Sequence, residues 1–364
     1  MRKMIINRVL ALYQSVLDSK LADVQAKTEK NRLLHFLSEE SKLNKDEIYL
    51  IQKKWGGVVK NLTPGYVYYR GLKALDCFDA NYLSSAYFYP YIERILNPAK
   101  YKFNLGHKAM LELVYGDIIA HPKTLLRSYG GVMFNEEYHA IRKSDAIRII
   151  RAAEQPLLYK PAVDSAQGDG IRKFDVSEFD ELCKLIDSNR LGQTDFVLQY
   201  LVEQSLDTKV FNPTSLNCMR ITTLNLNGHI TICSRAIKCG PQNSVVDKIG
   251  SGRRGVIVGI HPDGSLCERG FYGNGEIATE HNGVRFKDYK INHFHVVEDA
   301  AYRLHQIVPS CKIIGWDIAL DYNNNPILIE GTTNYPGISL EQMCSGPIFG
   351  ERTDEVIDYV RLYL

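Results

Sequence analysis

Two carboxylates sit where strands put apolar side chains. In "GWDIALDYNNNPILIEGTTNYPG" (315–337), Asp317 lies among Trp316, Ile318 and Ala319, and Glu330 follows "PILI". An ionised acid in an apolar strand is costly unless something positive accompanies it. Two acids facing each other would repel and drive a pKa upward. A pair of Mg²⁺ ions relieves both problems and suits a phosphate-bearing ligand. Asn334, just past the strand, offers a carbonyl oxygen as a third ligand. Strand alternation that turns one acid outward is the competing reading, and the metal reading is placed ahead of it.

Far upstream, "LLYKPAVDSAQGDGIRKF" (157–174) delivers Lys160 at the end of an apolar run and then loosens into small residues. The stretch Ser165-Ala166-Gln167-Gly168-Asp169-Gly170 offers backbone N–H groups that side chains barely obstruct, which suits it to cover phosphates. Lys160 would place a point charge on the same oxygens. An ordinary hairpin with a surface lysine has the same appearance. Neither a Walker A loop nor the three-glycine dinucleotide fingerprint is present. Between these two ends, "VLQYLVEQ" (197–204) is an apolar strand leaving into a linker. Such a transition can present backbone groups to an adenine edge, with Glu203 reaching a ribose hydroxyl.

The elements that must position these groups are legible in outline. Residues 1 to about 104 read as mostly helical, with Ile5, Val9, Leu12, Val16 and Leu17 at helical spacing. That stripe is expected to dock the first helix on its own core. A helix lying on a membrane surface is the alternative, because Arg2, Lys3 and Arg8 are basic. The charged stretch 27–47 reads as a solvated helix pair, and the tyrosine-rich 66–96 as core and interface filler rather than a stacking surface for a sugar or base. Pro98 and Gly106 mark a boundary within 96–108. Beyond it, β-branched runs alternate with glycine turns. "ITTLNLNGHITICSRAI" is a hairpin turning at Asn227-Gly228, and a second hairpin turns around Asn323–Asn325. Helices are expected over 177–192, capped by Gly192, and over the segment that begins at His293. The fold class is α+β, divided as 1–104, 105–200 and 201–364.

Composition narrows the function. Basic and acidic residues number 44 and 42, so the net charge of +2 gives no whole-molecule case for nucleic acid. Eight scattered cysteines without a C-x-x-C pair argue against a zinc site or disulfide framework and for reduced thiols in the cytosol. No run approaches the ~18–20 apolar residues of a membrane span.

The order of these features resembles the ATP-grasp superfamily, and more narrowly the sugar-transfer-associated ATP-grasp family of bacterial surface-polysaccharide gene clusters. "FNPTSLNCMRITT" (211–223) resembles that family's S-x-N-x-x-R-x-x-T segment through Ser215, Asn217, Arg220 and Thr223. "VVDKIGSGRRGVIVGI" (245–260) resembles its Asp-Asn…Gly-Gly turn, and the 315–337 hairpin its metal strands. The resemblance implies ATP clasped between two α+β lobes. Lys108 and Lys160 would hold the phosphates under the loop 165–170. Gln199, Leu201 and Glu203 would line the nucleoside, and Asp317, Glu330 and Asn334 would hold Mg²⁺. Arg220, Arg235, Arg253 and Arg254 are the candidates for charge developing on the transferred phosphoryl. Asn217, Lys248 and Arg253 would meet the substrate, Lys248 either through an acidic sugar or simply by pairing with Asp247.

The implied reaction joins a carboxylate to an amine through an acyl phosphate, with a uronic-acid glycan or its precursor as the carboxylate. A phosphotransferase and a non-catalytic nucleotide-binding partner of glycan assembly are the alternatives. The sequence departs from the family's usual Glu-x-Asn ending: Glu330-Gly331-Thr332 stands there, and asparagine arrives at 334. Either the loop returns Asn334 to the site or Thr332 takes its place.

Overall fold

The computed structural model describes residues 2–102, 104–163, 169–187, 195–245, 247, 249 and 255–364, with 2–11 and 104 described by backbone alone. Two antiparallel sheets carry the architecture. The first has the order β3-β2-β1-β6-β4-β5, from β1 (Thr124–Tyr129), β2 (Val132–Phe134), β3 (Ala140–Ile141), β4 (Leu157–Pro161), β5 (Arg172–Phe174) and β6 (Phe196–Tyr200). Alternation sends Leu157, Tyr159, Phe196 and Leu198 into a core with the helices Lys143–Arg151 and Phe179–Asp187. Lys160 and Gln199 take the opposite parity. The second helix ends at Asp187, and Gly192 lies outside the described residues.

The second sheet has the order β11-β10-β9-β8-β7-β14-β15. Its strands are β7 (Cys218–Leu226), β8 (His229–Cys239), β9 (Val256–Ile260), β10 (Leu266–Tyr272), β11 (Ile277–Ala278), β14 (Ile313–Leu320) and β15 (Pro326–Thr332). A small ribbon of β12 (Glu280–His281) and β13 (Val284–Arg285) stands apart. The turn at Asn227-Gly228 takes φ of +54° and +81°, the conformation a two-residue hairpin loop requires. One face packs Ile221, Ile314, Trp316 and Ile318 on the helix Phe294–Ile307.

The other face meets the N-terminal helices α1 (Arg2–Leu33), α2 (Lys45–Trp55) and α3 (Tyr66–Ala74). Leu224, Leu226, Ala236, Ile257 and Ile313 share a core with Trp55, Tyr68, Tyr69, Tyr87 and Phe88. The tyrosines of 66–96 are thus largely core. Helix α1 corrects one expectation. Leu12, Val16 and Leu17 are exposed, and α1 docks through Asp18, Ala22, Glu29 and Leu33 instead. Two of those contacts are polar: Arg94 pairs with Asp18 at 3.2 Å, and Glu29 accepts from Ser84 Oγ and Ser85 N at 2.7 Å each. The stretch 27–47 is the end of α1, a short 3₁₀ turn and the start of α2, whose Asn44 and Glu47 form a reciprocal N-terminal cap. Among the described residues, no helix is long and apolar enough to cross a membrane.

Candidate active site

Register brings the two acids together. Asp317 on β14 is paired with Glu330 on β15 and, on its other side, with Arg220 on β7. One-residue irregularities lie close by in the β14–β15 and β7–β8 pairings. In β15 the partners step from Asp317–Glu330 to Ile318–Leu328, leaving Ile329 as the extra residue. In β8 they step from Thr222–Ser234 to Thr223–Ile232, leaving Cys233 over. A bulge of this kind re-aims every side chain beyond it.

Asp317 is buried and paired with two cationic side chains. Arg220 donates from Nε to Oδ1 at 2.7 Å and from Nη2 to Oδ2 at 2.9 Å, and Lys238 Nζ reaches Oδ2 at 2.9 Å. Burial alone would push the Asp317 pKa up. Arg220 and Lys238 outweigh it and hold the carboxyl well below the usual carboxylate range. The expected upward shift from a facing acid is therefore reversed, because the neighbouring strands supply the positive charge.

Arg220 is itself fixed from a second side by Glu341 at 3.4 Å. Glu341 is a buried acid on the helix Ser339–Ser345 that also accepts from Thr222 Oγ1 at 2.6 Å and Ser234 Oγ at 2.7 Å. Burial raises the Glu341 pKa, with Arg220 and the two hydroxyls pulling the other way. Lys238 lies 3.4 Å from Asp247 as well. Burial works against its charge, yet Asp247 and Asp317 hold its pKa above the ordinary lysine range.

The first sheet contributes the other half. Lys108 donates to Glu330 Oε1 at 2.9 Å, and its backbone N–H donates to Ala162 O at 3.0 Å, just beyond β4. Lys160 is buried, and burial followed by the nearby charge of Lys108 brings its pKa down to about 8. Glu330 and Asp247 act on it in the opposite sense. Lys160, Lys108, Glu330, Asp247, Asp317, Lys238 and Arg220 thus form one continuous electrostatic cluster between the sheets.

The profile of the sugar-transfer associated ATP-grasp family matches residues 92–357. The chain belongs to that family. None of the curated proteins matches this ATP-grasp chain. Solved structures similar to it include D-alanyl-alanine synthetase A from Vibrio cholerae, at 13% identity and a TM-score of 0.44 over 71% of this chain. Biotin carboxylase from Campylobacter jejuni matches at 12% identity and 0.46 over 74% of this chain, and an L-amino acid ligase from Bacillus licheniformis at 11% and 0.41 over 71%. The ATP-grasp chain spans 65%, 49% and 50% of those three proteins, respectively.

The remaining sequence-derived residues fall in several places. Gln199 is buried, donates to Thr124 Oγ1 at 3.0 Å and lines one pocket with Lys108 and Leu328. Leu201 and Glu203 are exposed on the linker after β6. Gly170, at a φ of +78°, closes the far end of the glycine loop against Pro161, where a Cβ would come within 2.8 Å of Cγ. Arg235 is not brought to the cluster: it pairs with Glu298 on the opposite face of the sheet. Asn217 is wholly buried, donating to Gln204, Thr208 and Asn212 in the loop before β7. Ser165, Gln167, Gly168, Lys248, Arg253 and Arg254 lie outside the described residues. Lys238, and Glu341 through Arg220, belong to the cluster without having stood out in the sequence, and so does Asp247, read there as the Asp of the Asp-Asn…Gly-Gly turn and as a partner for Lys248.

The donor chemistry fits Mg²⁺. Asp317 and Glu330 lie opposite one another, and magnesium binds through one or two carboxylates plus phosphate oxygens while keeping several waters. Glu330 is a third exposed and, among the described residues, engaged only through Oε1. Thr332 pairs with Gly315 and so shares the face of Glu330, while Asn334 stands exposed beyond the end of β15.

Proposed function

We propose that this ATP-grasp protein is an ATP- and Mg²⁺-dependent carboxylate–amine ligase that amidates a uronic-acid-containing surface glycan, or its precursor, with an amino acid or amine. One observation carries the reading: buried Lys160 and Lys108 from the first sheet's side converge with Glu330 and Asp317 of the second. Lys108 and Lys160 bring two positive charges into one cleft beside the acids, and a phosphate chain is an anion suited to lie against both.

In this reading Lys108 and Lys160 grip the phosphates, and Gln199, Leu201 and Glu203 line the nucleoside. Asp317, Glu330 and Thr332 would hold the magnesium, which supplies positive charge against the phosphate oxygens. Arg220 and Lys238 position Asp317 rather than meeting substrate, since they are engaged by Asp317 together with Glu341 and Asp247. The substrate carboxylate attacks the terminal phosphorus and the bond to the leaving ADP breaks. The amine nitrogen then attacks the acyl carbon and phosphate departs, with one proton released in sum. Holding the phosphoryl group between fixed charges lowers the barrier because no solvent has to reorganise as charge moves. The family's description as sugar-transfer associated supports a glycan as the carboxylate.

An ADP-release screen of uronic acids against amino acids and amines tests the proposal. ADP formation requiring both partners, with nitrogen incorporated into the product, is expected. ADP formation that leaves a stable phosphorylated sugar and no amide would replace the ligase with a phosphotransferase.

A further inference from the structure

We infer that Tyr335 is the platform on which the sugar ring of the acceptor stacks. The inference rests on the ligase reading and names the residue that would recognise the substrate's ring. Seven non-glycine residues among those described hold a positive φ, and five are Asn or Asp, which tolerate it. The other two are Tyr138 at +61° and Tyr335 at +52°. Tyr138 is accounted for by its packing: the Arg127 guanidinium lies 3.7 Å from its ring centre, and its hydroxyl donates to Ala109 O. The Tyr335 side chain leaves 48% of the residue exposed. A bulky residue held in a strained conformation to display its ring outward is a feature a fold keeps only where the surroundings enforce it.

Those surroundings are on hand. Asn97 Nδ2 donates to Thr333 O at 2.8 Å, Thr333 Oγ1 donates to Lys102 O at 2.7 Å, and the Tyr89 hydroxyl donates to Pro336 O at 3.0 Å. The Tyr89 ring backs that of Tyr335, with centroids 5.0 Å apart and planes inclined at 50°. The loop is thus pinned on both sides of Tyr335, and the ring has a rigid support.

Position then points to the acceptor. The loop leaves the strand bearing Glu330 and Thr332 and enters the helix bearing Glu341, so it crosses the face of the sheet on which the acids lie. Lys102 and the residues 105–108 lie beside it, with Lys108 at Glu330 and Lys102 5.8 Å from the Tyr335 ring centre. The weakly positive C–H groups on one side of a pyranose suit the negative face of the ring.

The test compares Tyr335→Phe and Tyr335→Gly with the wild type by two readouts. One is the melting temperature. The other is saturation-transfer NMR of uronic-acid disaccharides titrated in the presence of a non-hydrolysable ATP analogue and Mg²⁺. Glycine relieves the backbone strain, so Tyr335→Gly is expected to melt no lower than the wild type while binding the disaccharide about tenfold more weakly. Tyr335→Phe keeps the ring and is expected to bind within about twofold of the wild type. A Tyr335→Gly variant that melts lower and binds the sugar unchanged would show the ring to be core packing and overturn the inference. Wild-type protein that takes up the nucleotide but no disaccharide would overturn it too. Loss of the nucleotide signal itself would instead bring down the ligase reading. Should Tyr335→Gly fail to fold, Tyr335→Ala is measured in its place against the same disaccharides.

Discussion

Lys160 is buried beside a second cation, Lys108, and only part of that cost is offset by Glu330 and Asp247. With a folded-state pKa of about 8 against an ordinary 10.5, its charged form is penalised in the fold. The penalty is complete below about pH 8 and fades as pH rises from there to 10.5, because over that window the unfolded chain binds the proton and the folded one does not. An anion placed against Lys160 reverses the shift. Nucleotide binding is therefore expected to take up a proton above pH 8 and to weaken as pH rises further, measured by calorimetry in buffers of different ionisation enthalpy. Lys160→Met should abolish binding without lowering the melting temperature of the nucleotide-free protein. The acids should part company in the same way. Asp317→Asn leaves Arg220 and Lys238 buried with only Glu341 and Asp247, each at 3.4 Å, as counter-charges, and a loss of about 3 kcal/mol is expected in chemical denaturation. Glu330→Gln, at a partly exposed site with a single ion pair, should cost about 1 kcal/mol or less.

At the scale of elements, the hairpins were legible and their registers were not. Asn227-Gly228 between alternating strands announces its turn, and the acids stand out because carboxylates are rare in such runs. Counting straight down from Leu226–His229, however, sets Arg220 opposite Arg235, and counting from Leu320–Pro326 sets Asp317 opposite Ile329. The bulge at Cys233 turns Arg235 toward the helix Phe294–Ile307 and delivers Lys238 to Asp317 instead. The bulge at Ile329 is what brings Glu330 across from Asp317. Nothing in the residue types marks either position, so Lys238 reads as a surface lysine until the register is known. Glu341 is hidden for another reason: its helix is only seven residues long and opens on polar side chains. Gly315 tests this geometry. A Cβ there would lie 3.0 Å from Arg220 Nη1 and 3.2 Å from its Cδ, so Gly315→Ala presses the guanidinium that holds Asp317 and requires it to give by a few tenths of an ångström. About 1–3 kcal/mol of stability should be lost with it, together with nucleotide affinity, read by denaturation and calorimetry on one sample.

Across the whole molecule, the N-terminal helices are part of the second sheet's core rather than an appendage. Trp55, Tyr68 and Tyr87 share one apolar cluster with Leu224, Ile257 and Ile313, and Asn97 bonds both Ile313 and Thr333. The sequence displayed the helices but not this dependence. The first helix docks through a mixed stripe of Asp18, Ala22, Glu29 and Leu33 while Leu12, Val16 and Leu17 are left outside, which departs from the usual pattern that makes a docking face readable. A fragment comprising 105–364 is accordingly expected to lose cooperative unfolding by circular dichroism, while the full chain unfolds in a single transition.

The account stands on Lys160 and Glu330 acting on one magnesium-bearing nucleotide, and calorimetry of a non-hydrolysable ATP analogue, with and without Mg²⁺, tests that most directly. Lys160→Met and Glu330→Gln should each weaken binding at least about tenfold, and Glu330→Gln should erase the gain that Mg²⁺ gives the wild type. Unchanged affinity in either variant, or an Mg²⁺ gain that survives the loss of the Glu330 carboxylate, would contradict it.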